Sequence, residues 1–234
     1  MKRGDAFGSM LLDHLEGKED VHEIVERDDG FVSAARLNYF APVRRWPPVE
    51  RRALRFVRGR VLDVGCGAGR VAVELQDRGH DVVAIDVSPG ALEVARRAGV
   101  RDARLLPFER VDASLGRFDT VVMFGNNFGL VGGEAKGRRM LRRLRRLADR
   151  IVATSNDPYA TEDHVHVAYH ERNRRGGRMG GQVRIRVRYR ELATPWFDYL
   201  LASPGEMAAL AESGGWRVGR VLRGDGPYYV GVLD

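Results

Sequence analysis

Three glycines at alternating positions are the part of this sequence best suited to holding a small ligand. They follow a short apolar run at 61–64, and apolar residues with helical spacing resume after Arg70. The pattern predicts a strand, a tight turn and a helix. Glycine reaches φ > 0 and lets a ligand approach the backbone, and a helix start offers unpaired N–H groups. The stretch supplies an acid, a cysteine and the three glycines as candidate binding residues: Asp63, Gly65, Cys66, Gly67 and Gly69.

A second acid, Asp86, ends the next apolar strand, at 81–86. Ser88 and Pro89 then have the residue types typical of an N-cap and a first helical position. A carboxylate at the end of this strand can accept hydrogen bonds from both hydroxyls of a ribose. The alternative is that Asp86 only supplies negative charge at the start of a helix. Together, the glycine turn and Asp86 indicate a nucleoside-containing cofactor more specifically than either does alone.

The glycine spacing separates two classes of cofactor. Dinucleotide-binding turns read G-x-G-x-x-G, whereas this turn reads G-x-G-x-G, with Asp63 before it and Arg70 after it. It resembles motif I of the class I S-adenosylmethionine (SAM)-dependent methyltransferases. Residues 118–121 resemble that family's F-D-x-V fourth strand, and the last two apolar runs resemble its closing strand pair. The chain is also similar to the small single-domain methyltransferases common in actinobacteria.

This resemblance implies a fold and a cofactor. The implied fold class is α/β: a Rossmann-like sheet with helices on both faces, an N-terminal helical cap and an inserted antiparallel β-hairpin. The cofactor is SAM, and the product is S-adenosyl-L-homocysteine (SAH). We expect a single domain, 1–234, with four parts: the cap at 1–58, the SAM-binding core at 59–159, the insertion with its hairpin at 160–202, and a closing helix and strand pair at 203–234.

The resemblance also implies further cofactor-binding residues. In the cap, Tyr39 is a candidate for touching the cofactor, and ordinary packing of this ring is equally open. The family's D-A-x-x-L-P-F motif matches 102–108, which would bring Asp102 to the adenine amino group. A register based on the third strand brings Phe108 and Glu109 there instead, and we prefer it. The remaining cofactor candidates stand at the ends of other strands: Val87, Phe124, Gly125 and Asn126.

Residues 160–182 contain no clear core element but many reactive side chains. His164, His166 and His170 are candidate general bases, because neutral imidazole is available near pH 7. Their spacing fits neither one helical face nor a familiar closed site, so no metal is predicted. The candidates for substrate contact follow strand ends: Asn127, Asp157 and Tyr159.

The stretch 182–190 alternates strictly, with apolar residues on one face and arginines on the other. The alternation predicts a half-buried antiparallel strand, with 196–201 as its partner in the hairpin. The arginine face could follow a phosphate backbone. A solvated face is favoured over that reading, partly neutralised by Glu191 and Asp198.

Composition fits a soluble α/β protein with a sizeable core: 234 residues, 44% hydrophobic and 30% charged. No apolar run has membrane length and no signal-peptide pattern follows Met1.

A single cysteine excludes an internal disulfide and predicts a cytoplasmic location. We expect Cys66 to be a small buried residue rather than a nucleophile, because no base lies near it in sequence. The net charge of +7 favours nucleic acid only modestly.

The leading hypothesis is SAM-dependent transfer of a methyl group to O or N of a small-molecule acceptor, mainly by proximity and alignment in an SN2 step. One alternative is an RNA methyltransferase that uses the arginine-rich strand 184–190. Another is a non-catalytic SAM-binding protein, and a nicotinamide dehydrogenase is disfavoured by the glycine spacing. The sequence leaves open the acceptor, the need for a general base and the oligomeric state.

Overall fold

The computed structural model describes residues 1–35 and 38–234. Within them, the α-helices are α1 (Ala6–Leu15), α2 (Pro48–Ala53), α3 (Arg70–Asp77), α4 (Pro89–Arg97), α5 (Glu134–Arg145), α6 (His164–Arg175) and α7 (Pro204–Ser213). The strands are β1 (Lys2–Arg3), β2 (Glu23–Arg27), β3 (Val32–Ala35), β4 (Arg60–Val64), β5 (Asp81–Asp86), β6 (Asp102–Leu105), β7 (Phe118–Met123), β8 (Ala148–Asn156), β9 (Gln182–Tyr189), β10 (Leu192–Ala193), β11 (Phe197–Leu200), β12 (Val218–Arg223) and β13 (Tyr228–Leu233).

Local sequence sets where several helices begin and end. Ser88 and Ser203 are the N-caps of α4 and α7, and each is followed by a proline in the first turn. After α3, Gly79 takes φ +88°, as expected of a glycine that ends a helix. The predicted helix start at Ser88 and Pro89 is therefore confirmed.

The larger sheet has the strand order β12-β13-β8-β7-β4-β5-β6 in the described residues. Strands β5 and β6 are parallel, as are β7 and β8, whereas β13 is antiparallel to both β8 and β12. The strands β4, β5, β7 and β8 are almost entirely buried, which suits near-continuous apolar sequences in a parallel sheet covered by helices. The predicted α/β class and its closing antiparallel pair are confirmed.

The chain divides into two compact units. The first comprises Met1–Trp46, Leu62–Val111 and Arg184–Phe197. The second comprises Pro47–Val61, Asp112–Val183 and Asp198–Asp234. The four-part division given above, with its boundaries at 58, 159 and 202, stays a prediction.

A second sheet follows the order β1-β10-β9-β2-β3, with β11 also paired to β9. The predicted strand at 182–190 is confirmed as β9, and its predicted partner at 196–201 contains β11, which pairs with β9. The N-terminal segment is less helical than the helical cap expected at 1–58: Ile24 and Val25 lie in β2, which pairs antiparallel with β9. Pairing across a long stretch of sequence decided their conformation, and a local apolar pattern cannot reveal it.

The insertion also differs from expectation. Residues 160–182, in which no core element was expected, contain the helix α6, with Tyr169, His170 and Asn173 buried. The Asn173 amide donates to the carbonyls of Gly180 and Gln182 and so fixes the glycine-rich segment that follows the helix. The apolar face of α6 is short, which is why periodicity did not reveal it.

No helix in the described ranges, 1–35 and 38–234, is long and apolar enough to cross a bilayer.

Candidate active site

The glycine turn lies between β4 and α3 in the first unit. Gly65, Gly67 and Gly69 have φ of +71°, +53° and +84°, values that favour glycine. The N–H groups of Gly65 and Cys66 both donate to the carbonyl of Ile85 in β5, at 2.9 and 3.0 Å. The turn is therefore tied to the neighbouring strand through its own backbone, and glycine is required for its conformation.

Asp86 braces the same turn from the end of β5. Its carboxylate accepts hydrogen bonds from the N–H of Gly67 at 2.9 Å and of Ser88 at 3.0 Å. Burial raises the pKa of the Asp86 carboxyl above its ordinary value, and the backbone N–H donors at Ser88 and Gly67 oppose that rise. A carboxylate has about four acceptor positions, so these bonds leave capacity for donors from a ligand.

The two other polar residues of the turn are buried. Asp63 is 2% exposed and Cys66 is 7% exposed. Burial is the main cause that raises the pKa of the Cys66 thiol, and the negative charge of Asp63 adds to it. A thiol held protonated is a poor nucleophile, so the expectation of a packing role for Cys66 is consistent with its environment.

Two aromatic rings lie against the glycine turn. A Cβ atom on Gly67 would lie 3.6 Å from Phe7 Cζ and 3.7 Å from Tyr39 Cδ1. These rings meet edge to face, with centroids 5.2 Å apart, and the Tyr39 hydroxyl donates to Glu23 at 2.9 Å. Tyr39 thus lies beside the turn, as a cap residue would. Phe7 was missed, although an aspartate N-cap before an apolar helix was visible at Asp5.

The register of β6 separates the two alternatives for the adenine neighbours. Asp102 pairs with Val83, whereas Leu105 pairs with Asp86. Asp102 therefore lies at the opposite end of β6 from Asp86, where it forms an ion pair with Arg104. Phe108 and Glu109, in a short 3-10 turn beyond β6, follow the end that carries Asp86. The side chain of Val87, next to Asp86, is exposed.

In the second unit, the loop after β7 is held by side chains from other elements. Glu50 of α2 is fully buried and accepts hydrogen bonds from the Gly125 N–H at 2.9 Å and from the Tyr228 hydroxyl. The Asn126 N–H donates to Thr154 Oγ1 at 2.6 Å, and its carbonyl accepts from Tyr199 at 2.6 Å. Sequence reasoning missed Glu50, which stands far from this loop in the chain.

Asn126 has two features typical of a functional position. Its φ of +68° is uncommon for a residue other than glycine. Its side-chain Oδ1 is buried and has no hydrogen-bond donor in the described residues. A buried acceptor without a donor costs about 1–3 kcal/mol. Nearby in sequence, Phe124 is buried and Asn127 is half-buried at the start of a 3-10 turn.

The three histidines of the insertion lie in different environments on α6. The side chain of His164 is 96% exposed, His166 is half-buried, and His170 is buried edge-on to the ring of Tyr159. Tyr159 donates to Glu206, and burial with this hydrogen bond raises the pKa of the Tyr159 hydroxyl. Asp157 accepts a hydrogen bond from the Tyr159 N–H and so shapes the turn after β8.

Across the described ranges, no three His, Cys, Asp or Glu residues cluster as metal ligands would.

The arginine face of β9 is largely paired within the first unit. Arg186 and Arg188 both contact Glu26 Oε2, at 2.8 and 3.2 Å. The Arg186 guanidinium also lies over the ring of Trp196, 4.6 Å from its centroid. These arginines meet Glu26 from β2, which the sequence had not indicated as their partner. A face whose positive charge is partly neutralised in this way, with two guanidinium groups held on one carboxylate, is a poorer match for a phosphate backbone.

Comparison with known proteins adds to this geometry. Residues 61–150 match the family described as "Methyltransferase domain". The ubiquinone biosynthesis O-methyltransferase of Azorhizobium caulinodans is 33% identical over 126 residues, or 51% of this chain and 47% of that relative. The magnesium-protoporphyrin O-methyltransferase of Rhodobacter capsulatus is 43% identical over 67 residues, or 27% of this chain and 30% of the relative. This chain therefore spans less than half the length of these two curated relatives.

A solved structure is similar over a longer part of the chain. The SAM-dependent methyltransferase of Bacteroides fragilis, in complex with SAH, superimposes with a TM-score of 0.82 at 26% identity. The match covers 98% of this chain and 94% of the other. The matched region 61–150 contains the glycine turn, Asp86 and the loop after β7. These matches support a class I SAM-dependent methyltransferase: residues 61–150 match the methyltransferase domain, and nearly the whole chain shares its fold with a SAM-dependent methyltransferase.

Proposed function

We propose that this protein transfers the methyl group of SAM to an oxygen or nitrogen of a small-molecule acceptor. The observation that carries the proposal is the glycine turn at 65–69, braced on Asp86, with the rings of Phe7 and Tyr39 beside Gly67. This arrangement leaves acceptor capacity on a buried carboxylate next to a turn that a ligand can approach closely. The family match over residues 61–150 supports the same assignment.

The residues of the first unit fit the nucleoside part of SAM. Asp86 would accept hydrogen bonds from the ribose hydroxyls, and Gly65 and Gly67 would let the cofactor approach the backbone. Val87, Phe108 and Glu109 would flank the adenine, and Tyr39 would cover the turn. Asp63, Cys66 and Gly69 would hold the shape of the turn from its buried side.

In the second unit, the loop after β7 would bind polar groups. Because Asn126 Oδ1 is a buried acceptor without a donor, it fits a group that donates a hydrogen bond, such as an ammonium, a hydroxyl or an amine. A carboxylate does not fit this atom, since it only accepts. Phe124 and Gly125 stay candidates for contact with the cofactor, and Asn127, Asp157 and Tyr159 stay candidates for contact with the methyl acceptor.

SAM supplies an activated methyl group when it is bound, so the chain's own task is to hold and align the acceptor. Alignment can account for about 7–11 kcal/mol of a barrier. A base at His166 or His170 would add about 10²–10⁴-fold where the acceptor must lose a proton. His164 is the weakest of the three candidates, because its side chain is almost fully exposed.

The names of the relatives favour a hydroxyl acceptor on a small molecule. Besides the two described above, the 2-heptyl-1-hydroxyquinolin-4(1H)-one methyltransferase of Mycobacteroides abscessus is 38% identical over 72 residues. Pairing of Arg186 and Arg188 with Glu26 counts against the RNA alternative. We also propose a cytoplasmic, reducing location, because the only cysteine, Cys66, is buried as a thiol.

The first test is binding of SAH by calorimetry, with Asp86→Ala against Asp81→Ala as the control at the exposed start of the same strand. We expect Asp86→Ala to weaken binding by at least about tenfold, because each hydrogen bond to a charged group contributes about 1.5–3 kcal/mol. Asp81→Ala should leave the affinity unchanged. Absence of SAH binding by the unmodified protein, or equal affinity of both variants, would contradict the cofactor assignment.

The second test follows methyl-labelled SAM into a fractionated lysate of the source organism. Label in the small-molecule fraction would support the proposal and identify the acceptor. Label in RNA, with a yield that falls steeply with salt, would contradict the acceptor class. Confirmed SAH binding without labelling of any fraction would favour the non-catalytic alternative.

A further inference from the structure

The N-terminal helix α1 is joined to α4 by a single carboxylate, that of Asp5. Asp5 is the N-cap of α1 and accepts the Gly8 N–H through Oδ1 at 2.9 Å. Its Oδ2 accepts the Gly90 N–H in the first turn of α4, also at 2.9 Å. The hydroxyl of Ser88, the N-cap of α4, donates to both oxygens at 2.8 and 2.9 Å. One side chain therefore satisfies unpaired donors at the starts of two helices.

The two helices cross with almost no space between their backbones. A Cβ atom on Gly8 would lie 2.7 Å from the Cα of Gly90, and one on Gly90 would lie 2.8 Å from the Cα of Gly8. Behind this crossing, Ala6, Met10 and Leu11 are fully buried in a cluster that also contains Ala68, Ala91 and Val94. The glycines permit the close approach that the Asp5 carboxylate needs to reach both helices.

This junction is continuous with the proposed cofactor residues of the first unit. Ser88 donates its hydroxyl to Asp5 and its N–H to Asp86 Oδ1. Two residues after Asp5, the ring of Phe7 lies against the glycine turn and meets Tyr39. A change at Asp5 would thus act on Asp86 through Ser88 and on the wall of the turn through Phe7.

We propose that Asp5 is a positioning residue for SAM binding, which holds α1 against the start of α4 so that Phe7 and Tyr39 close over the glycine turn. The inference rests on the proposed function. It makes the N-terminal helix part of the cofactor site, whereas the sequence had indicated only Tyr39 in this segment. Asp5 would not touch the cofactor itself; its effect would pass through Phe7 and Ser88.

The test compares Asp5→Ala with Asp163→Ala, which removes the aspartate N-cap of α6, a bond of 2.9 Å to the Val165 N–H. We expect Asp5→Ala to raise the Kd for SAH by about five- to tenfold and Asp163→Ala to stay within about twofold of the unmodified protein. Asp5→Asn keeps one acceptor oxygen and should give an intermediate value. If Asp5→Ala does not fold, the Kd of Asp5→Asn provides the test instead.

A double-mutant cycle separates positioning from general destabilisation. If Asp5 acts by placing Phe7, then Phe7→Ala should weaken SAH binding in the unmodified protein and have much less effect when Asp5 is already alanine. Hydrogen exchange of residues 6–15 should accelerate in Asp5→Ala and not in Asp163→Ala. The inference would be overturned if the two substitutions raised the Kd for SAH by independent factors that multiply in the double variant. It would also be overturned if the Kd of Asp5→Ala stayed within twofold of that of the unmodified protein. Absence of SAH binding by the unmodified protein would instead overturn the proposed function, while the exchange rates would still decide whether Asp5 holds the helix.

Discussion

Two loops that follow strands of the larger sheet, the glycine turn and the loop after β7, are held in different ways. The glycine turn after β4 is held mainly through backbone groups: the Gly65 and Cys66 N–H groups donate to the Ile85 carbonyl, and only the Gly67 N–H donates to a side chain, that of Asp86. The loop after β7 is held by side chains, with Glu50 on the Gly125 N–H and Thr154 on the Asn126 N–H. Each loop is hydrogen-bonded to other elements, but only the first depends on its own stretch of sequence and one neighbouring strand.

This difference fits the proposed roles: the glycine turn would bind only the cofactor, whereas the loop after β7 also contains Asn127, a candidate for contact with the acceptor. A cofactor is the same molecule for every member of a family, so a turn that depends on backbone conformation can serve all of them. An acceptor differs between enzymes, and a loop fixed by Glu50, Thr154 and Tyr199 can be reshaped by changing residues elsewhere in the chain. The comparison predicts that the two loops respond to different kinds of substitution.

The largest effect is expected for Glu50→Ala. This change removes the acceptor for two donors, the Gly125 N–H and the Tyr228 hydroxyl, and leaves a cavity where a fully buried side chain was. We expect the free energy of unfolding to fall by about 3–5 kcal/mol, measured by urea denaturation.

Glu50→Gln is the matched control, because it keeps an oxygen acceptor of the same size, and its cost should be about 1–2 kcal/mol. Hydrogen exchange at the Gly125 amide should accelerate in Glu50→Ala more than in Glu50→Gln. Equal stability of the two variants would mean that the loop does not depend on this side chain.

A smaller loss is expected for Gly69→Ala, at the end of the glycine turn. The positive φ costs about 1–2 kcal/mol, and a Cβ atom would lie 2.6 Å from Val100 Cγ2, which adds about 1–3 kcal/mol of overpacking. The total should be about 2–5 kcal/mol by urea denaturation. Gly79→Ala is the control: its φ is also positive, but a Cβ atom there would meet nothing within 4 Å. Its cost should therefore be that of the positive φ alone, about 1–2 kcal/mol. Equal losses at the two positions would show that packing around the turn contributes nothing.

These two substitutions also mark what the sequence could and could not predict. The glycine turn, Asp86 and the caps at Ser88 and Ser203 were predictable, because their signals lie within a few residues of each other. Glu50, by contrast, acts on a loop 75 residues away along the chain (Gly125), so no local pattern indicates it. The strand at Ile24 and Val25 was mistaken for helix for a related reason, since its partner is the distant β9.

A third prediction concerns the pH dependence of SAH binding. Burial raises the pKa of Asp86, so this group starts to take up a proton at a higher pH than an ordinary aspartate as the solution is acidified. The ribose hydroxyls would donate to the ionised form, so the Kd for SAH should rise as pH falls through that pKa, by up to about tenfold per pH unit below it.

The same group should affect stability with the opposite sign. Because the folded-state pKa is above the unfolded value, protonation favours the folded chain, and the contribution of Asp86 to the free energy of unfolding grows as pH falls through the folded-state pKa. Calorimetric titration with SAH and urea denaturation of the ligand-free protein, both run from neutral to mildly acidic pH, check the two signs. In Asp86→Asn, the pH dependence that Asp86 contributes to the Kd for SAH and to the free energy of unfolding should disappear. An unchanged binding profile in Asp86→Asn would exclude Asp86 as its cause.

The smallest effect is expected for His164→Ala, and it tests whether acceptor chemistry depends on shape or on a base. The His164 side chain is 96% exposed, so its removal should change stability by less than about 0.5 kcal/mol and kcat/KM by less than about twofold. His170→Ala is the informative partner, because His170 is buried against Tyr159 and its loss should cost about 1–3 kcal/mol of stability. Both variants are measured with the acceptor that the labelling experiment identifies. A loss of a hundredfold or more in His164→Ala at unchanged stability would assign proton removal to this histidine. If His164→Ala changes kcat/KM by less than twofold, His164 is not the base that removes the proton. Alignment of the acceptor by the loop after β7, which Glu50 and Tyr199 hold, is then the larger contribution to the rate.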